Sequence, residues 1–147
     1  MKFILYAVLI QGLGIVPAFA SSQVNILGTW QYDGFFYENH RYPNPNPDLE
    51  LFFTFYQDGK SRLFWQRKNE TGFCERIAEF KISNNMLVQK VIWVNPKNNS
   101  ECAMDVDMRL GQESETEICI QESELSFHFD LDGKPFLYIL KPVESAH

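Results

Sequence analysis

The chain has 147 residues, a formal net charge of -6 and 15% aromatic side chains, 13 Phe among them. That is about one domain, too apolar and too aromatic for a disordered, collagen-like or coiled-coil chain. The acidic balance argues against nucleic acid as a partner, because a phosphate binder needs a basic footprint.

Residues 1–20 read as a leader. Met1-Lys2 supplies one positive charge, Phe3 to Ile15 is a nearly unbroken apolar run, and Ala18-Phe19-Ala20 puts small residues where a signal peptidase reads. This three-part pattern predicts a signal peptide cleaved after Ala20. The run is shorter than the roughly 20 apolar residues of a membrane helix, so no stable membrane insertion is expected. No cysteine follows the cleavage site, so no lipoprotein anchor is expected either. The product, residues 21–147, is expected to be secreted or periplasmic.

After the leader, glycine and Asx residues recur every ten residues or so, and the runs between them are rich in β-branched and aromatic side chains. Strands are predicted over 28–36, 49–57, 60–68, 73–82, 86–94, 102–110, 115–121, 124–130 and 136–141. Short connections such as Asp58-Gly59 and Asp132-Gly133 are strong hairpin signals. They are too short for parallel crossovers. The expected fold is all-β, an up-and-down antiparallel sheet of eight to nine strands, closed into a barrel so that no edge stays exposed. The long stretch 34–48 holds Pro43, Pro45 and Pro47. It is predicted to be a lid loop, and with it a place for a protein partner.

Four stretches, in order, resemble the lipocalin superfamily. They are Ile26-Leu27-Gly28-Thr29-Trp30, then Leu51-x-Phe53-x-Phe55 before Asp58-Gly59, then Phe80-x-Ile82-x-x-Asn85-x-Leu87, and last Phe136-x-Tyr138-x-Leu140-Lys141. The likeness is to the small secreted lipocalin-like domains of bacteria, calycin-like barrels, and it spans most of 26–141. It implies a barrel with one closed end, one open mouth and an internal pocket for a small apolar ligand. It also implies that Trp30 fills the closed end with Lys141 over its ring, a cation–π contact. Both are structural roles.

Side chains alternate across a strand with period two. Taking Phe55 as inward puts Leu51, Phe53, Leu63, Trp65, Arg67, Cys74, Arg76, Phe80, Gln89, Trp93, Phe127 and Tyr138 on the inner face. The run 102–110 alternates most cleanly, with Met104, Val106, Met108 and Leu110 inward and Asp105, Asp107 and Arg109 outward. Arg67 and Arg76 fall on paired strands at the expected mouth. Two guanidinium groups there suit a carboxylate or phosphate head group held bidentately. Solvation at the rim, or pairing with Glu38, Glu75 or Glu79, would explain them as well. Trp65, Trp93, Phe53, Phe55, Phe80 and Tyr138 would hold the apolar tail.

The same strand order puts Cys74 and Cys102 together at the mouth, which favours that disulfide among three possible pairings and leaves Cys119 free. The three histidines are scattered and no Cys/His spacing suggests zinc. No catalytic or phosphate-binding fingerprint occurs. No enzyme and no cofactor is therefore expected. The function expected is binding of a small hydrophobic or amphiphilic ligand, such as a fatty acid or lipid, in the barrel. The alternative is a filled barrel that acts as a protein-interaction or envelope module.

Overall fold

A computed structural model describes residues 24–144. The leader expected over 1–20 lies outside them. Nine strands follow in order: β1 Gly28–Tyr37, β2 His40–Pro43, β3 Leu49–Phe55, β4 Lys60–Arg67, β5 Phe73–Ser83, β6 Met86–Val94, β7 Glu113–Gln121, β8 Glu124–Leu131 and β9 Lys134–Pro142. All neighbours pair antiparallel, and β1 also pairs with β9, from Trp30↔Pro142 to Tyr37↔Phe136. Eight strands thus close a barrel, and β2 is an extra strand on the upper half of β1.

Turn chemistry sets the registers. Glu38-Asn39, Asn84-Asn85, Glu122-Ser123 and Asp132-Gly133 have positive φ at both central positions. That is the mirror-image turn whose twist matches paired strands. The segment 34–48 is therefore no free lid loop. Its first part is the β1–β2 hairpin, with Tyr37↔His40 next to the turn. Gly34 permits this arrangement, because a Cβ there would lie 2.2 Å from the Tyr42 carbonyl oxygen.

One end of the barrel is packed solid. Ile26, Trp30, Phe55, Leu87, Ile118, Leu125, Phe127 and Leu140 form one buried cluster. Each fully buried side chain of this size contributes roughly 1.5–3 kcal/mol. The Trp30 indole donates to the Ile26 carbonyl at 2.8 Å, so its polar atom is satisfied within the floor. Phe80 stands edge-on to Phe55 with ring centroids 5.1 Å apart. Phe55 and Phe80 thus pack in the floor and not in the upper half of the barrel. Lys141 does not cover Trp30. It pairs with Gln31, one position on, so its side chain takes the opposite face. There its Nζ meets Asp33 at 3.0 Å.

Two further expectations give way. Residues 102–110 are not a strand but two 3₁₀ turns, Ser100–Met104 and Val106–Met108. Asn99 and Asp105 cap them by accepting the backbone N–H two residues on. This local bonding competes with a sheet ladder. Met104 is 80% exposed and Leu110 69%, whereas Met108 is buried. On β6, the register shifts between Ile77 and Ala78, so that Ala78 pairs with Val91 but Ile77 with Trp93. The extra residue, Ile92, flips the strand. Trp93 consequently faces outward.

Candidate functional site

The upper half of the barrel has two unlike walls. One is built by β4, β5 and the crossing segment 95–112. Cys74 on β5 and Cys102 in the first 3₁₀ turn form the disulfide, with Cα atoms 5.6 Å apart. Cys119, half-buried, is left as the free thiol. Together with Leu63 and Met108 the bridge forms a second buried cluster, against which Leu51, Phe53 and Trp65 pack. Asn98 reinforces the attachment. Its side chain accepts from the Glu75 N–H at 2.8 Å and donates to the Glu75 carbonyl at 3.0 Å. The segment 95–112 is therefore a strap across the mouth, fixed covalently and by backbone mimicry.

Arg76 lies under that strap with 3% of its surface exposed. Its Nε donates to the Asp107 carbonyl at 3.2 Å, and its Nη1 reaches Ser61 Oγ and Gln89 Oε1, both at 3.4 Å. Ser61 and Gln89 also bond to each other at 2.8 Å. Burial pushes the guanidinium down to about 10, against the opposing pull of the Asp107 and Asp105 charges. It remains a cation at neutral pH.

Arg67 is elsewhere. It pairs with Leu49, while Arg76 pairs with Leu63, four positions lower on β4. At ~3.3 Å per residue the two arginines sit about 13 Å apart along the sheet. They do not converge on one head group. Arg67 is at the rim, 3.9 Å from Glu70. It borders a cleft of about 390 Å³, whose walls include Trp65, Phe73, Cys74, Met104 and Asp105.

The opposite wall is aromatic. On β9, Tyr138 contacts Tyr32, Phe129 and Phe136, with ring centroids 5.2–5.3 Å apart. Phe136 stacks on Phe35 at 5.1 Å, and Phe35 on Tyr42 at 4.9 Å. The bulge between Tyr32 and Gly34 brings Phe35 opposite Tyr138 and so turns it to the inner face. Of the residues expected at the site, only Tyr138 belongs to this wall. Phe35 went unread because the bulge leaves no mark in the alternation, whereas Tyr32 shares the face of Trp30 by plain alternation. Tyr138 and Phe129 face inward yet are 39% and 41% exposed. The barrel is therefore solid below and open to solvent above.

The two walls converge towards the floor. In the ring of eight strands, β5 is diametrically opposite β9. Phe53, against which Met108 and its neighbours pack, touches Phe127 across the lumen at 5.0 Å, and Phe127 is the cross-strand partner of Tyr138. Burial first, and the Asp105 and Asp107 charges next, push the Tyr138 hydroxyl up. Burial likewise raises Tyr32, to about 12, with help from Tyr138. The Asp107 carboxyl is raised by desolvation and by Asp105, with Arg76 opposing.

No protein-family model matches the chain, and no curated protein matches its sequence. Among solved structures, a lipocalin-like protein from Bacteroides uniformis is similar, with a TM-score of 0.53 over 80% of this chain and 97% of that one, at 13% identity. At that identity the likeness is one of fold. The chain folds as a lipocalin-like β-barrel, as the Gly28-x-Trp30 opening and the closing strand imply.

Proposed function

We propose that the protein binds a small hydrophobic or amphiphilic ligand in the upper half of its barrel. One observation carries this reading. Inward-facing rings, Tyr138 and Phe129 above all, remain about two-fifths exposed above a fully packed floor. Water-exposed apolar surface in a concave setting is what a ligand covers with most gain, at ~25 cal/mol per Å². Trp65 and Phe53 continue the apolar surface beneath the strap. The protein would work outside the cytoplasm, delivered by the leader and held together there by its disulfide. No catalytic step is assigned to it.

A second reading has its own support. Trp93 and Ile92 are 42% and 38% exposed on the outer face. Nearby on the sheet, Arg62 lies over Phe64 at 4.7 Å. In that reading the outer sheet docks a partner and the barrel is only a scaffold.

Native mass spectrometry of detergent-free protein, followed by solvent extraction, decides between them. A stoichiometric small molecule, lost in a Tyr138→Ala variant, supports the lumen. A protein that purifies empty and takes up none of a panel of fatty acids, alcohols and amines refutes it.

A further inference from the structure

Arg76 is a cation buried without an anion. It is 3% exposed, and among the described residues no carboxylate pairs with it. Its hydrogen-bond acceptors are all neutral: the Asp107 carbonyl, Ser61 Oγ and Gln89 Oε1. The contacts to Ser61 and Gln89, at 3.4 Å, are longer than an ordinary N–H···O bond. The Asp107 and Asp105 charges act on the guanidinium from beyond ion-pair distance, and burial outweighs them. A buried charge is costly unless it is paired and fully bonded.

The guanidinium also keeps one edge unused. Nε donates to the strap and Nη1 is shared between Ser61 and Gln89, but Nη2 has no partner among the described residues. No fully buried side-chain nitrogen or oxygen there lacks a partner. Nη2 therefore belongs to the small accessible part of the residue, where a ligand atom can reach it. Gln89 supplies a second unused donor. Ser61 and Arg76 both donate to its amide, so the amide oxygen faces them. Its Nε2 is turned away and likewise has no partner among the described residues.

We propose that the unused edge of Arg76 is an anion site inside the barrel, which takes one carboxylate-like monoanion. A planar carboxylate suits a guanidinium edge. A single cation favours a monoanion over a phosphate dianion, and the Gln89 amide beside it adds a neutral donor. Arg67, at the rim beside Glu70, takes no part.

The same chemistry comes from two sources, the head of an amphiphile or a free small anion such as acetate. The amphiphile form rests on the ligand-binding reading above and adds the sign of the ligand's polar end. Apolar surface leads away from the guanidinium for its tail. Leu63 is the cross-strand partner of Arg76, and Phe53 packs against the cluster that holds Leu63. Phe53 in turn reaches Phe127, the cross-strand partner of Tyr138, at 5.0 Å.

The test uses decanoate, decanol and acetate, with the first two titrated below their solubility limits into the purified protein and followed by calorimetry. Decanoate is expected to bind about tenfold tighter than decanol, as one charge-assisted bond provides. Arg76→Met is expected to abolish that preference and to keep the decanol affinity. A second readout needs no variant. The carboxyl of bound, carbon-13-labelled decanoate is expected to titrate about one pH unit or more below that of free decanoate, because an adjacent cation favours the charged form. Acetate that weakens decanoate binding but not decanol binding shows that a free anion also occupies the site; no effect of acetate assigns the site to the amphiphile. Equal affinities for decanoate and decanol, or a bound carboxyl that titrates at or above the free value, overturn the anion site and leave the lumen reading standing. A preference for decanoate that survives Arg76→Met also overturns it. Failure of decanoate and decanol alike to bind removes the anion site and the lumen reading together.

Discussion

Replacing Cys74 and Cys102 by alanine tests whether the strap is an attachment to the barrel or an integral part of it. The bridge spans a sequence separation of 28 residues. In the chain-entropy model, closing a loop of that length lowers the free energy of folding by about 3.6 kcal/mol at 25 °C. Alanine leaves no unsatisfied polar group, so most of the loss should be this constraint on the unfolded chain. With a urea slope of about 1.5–2 kcal/mol per M, the midpoint should fall by about 2 M. The slope itself should hold, because the floor cluster around Trp30 and Phe55 contains neither cysteine. Hydrogen exchange adds the location. Amides over 95–112 should lose protection well before those of β7 to β9 in the double variant. The second buried cluster would lose two of its four members, but the Asn98 bonds to Glu75 remain. A midpoint drop below about 0.5 M would mean that the bridge constrains little, and that the strap is held by Met108 and Asn98 alone. A uniform loss of protection across all strands would refute the idea that the strap opens separately from the barrel.

Two further predictions separate the faces and the charges. Phe55→Ala should cost about 3–5 kcal/mol, as a ring removed from a packed floor does. Trp93→Ala, on the outer face after the bulge, should cost about 1 kcal/mol or less. Equal losses in chemical denaturation would put Trp93 back inside. The Asp33 carboxyl is partly buried, which opposes its ionisation, but bonds from Lys141 and Arg41 outweigh this and hold it below its ordinary range. Its contribution to stability is then present above the unfolded value of ~3.9 and disappears as pH falls through the lower folded value. Asp33→Asn should flatten the acid limb of the melting temperature measured from about pH 6 to about pH 2. Coincident acid limbs would show that the pair with Lys141 and Arg41 contributes nothing.

Most of the barrel could be read before the structure, and the physical reasons differ from element to element. β3 to β6 and β7 to β9 were legible because Asp58-Gly59, Asn84-Asn85 and Asp132-Gly133 punctuate runs of apolar residues with residues that tolerate positive φ. β2 was not, because Pro43, Pro45 and Pro47 at and after its end mark the whole stretch as a loop. The run 102–110 misled through its own regularity. Its period of two is that of a strand, but nine residues also accommodate two 3₁₀ turns when Asn99 and Asp105 cap them. Trp93 fell to a single inserted residue. At the site, Arg76, Trp65 and Tyr138 were correctly placed on the inner face. Their meaning was not legible, since it depends on what the strap covers. Arg76 supports the strap, and the rings of β1, β8 and β9 are what remains open.

The pairing of β1 with β9 also bears on how the protein is made. The first and last strands of the described residues share seven register pairs, beginning with Trp30↔Pro142. No growing chain can close this barrel before β9 has been delivered. Until then both sheet edges are unpaired and invite pairing with other chains. Loss of even the last strand would cost far more than its own contacts, since it would turn an edgeless barrel into an open sheet. C-terminal truncations before Lys134 should therefore aggregate during synthesis instead of yielding a shortened, functional barrel.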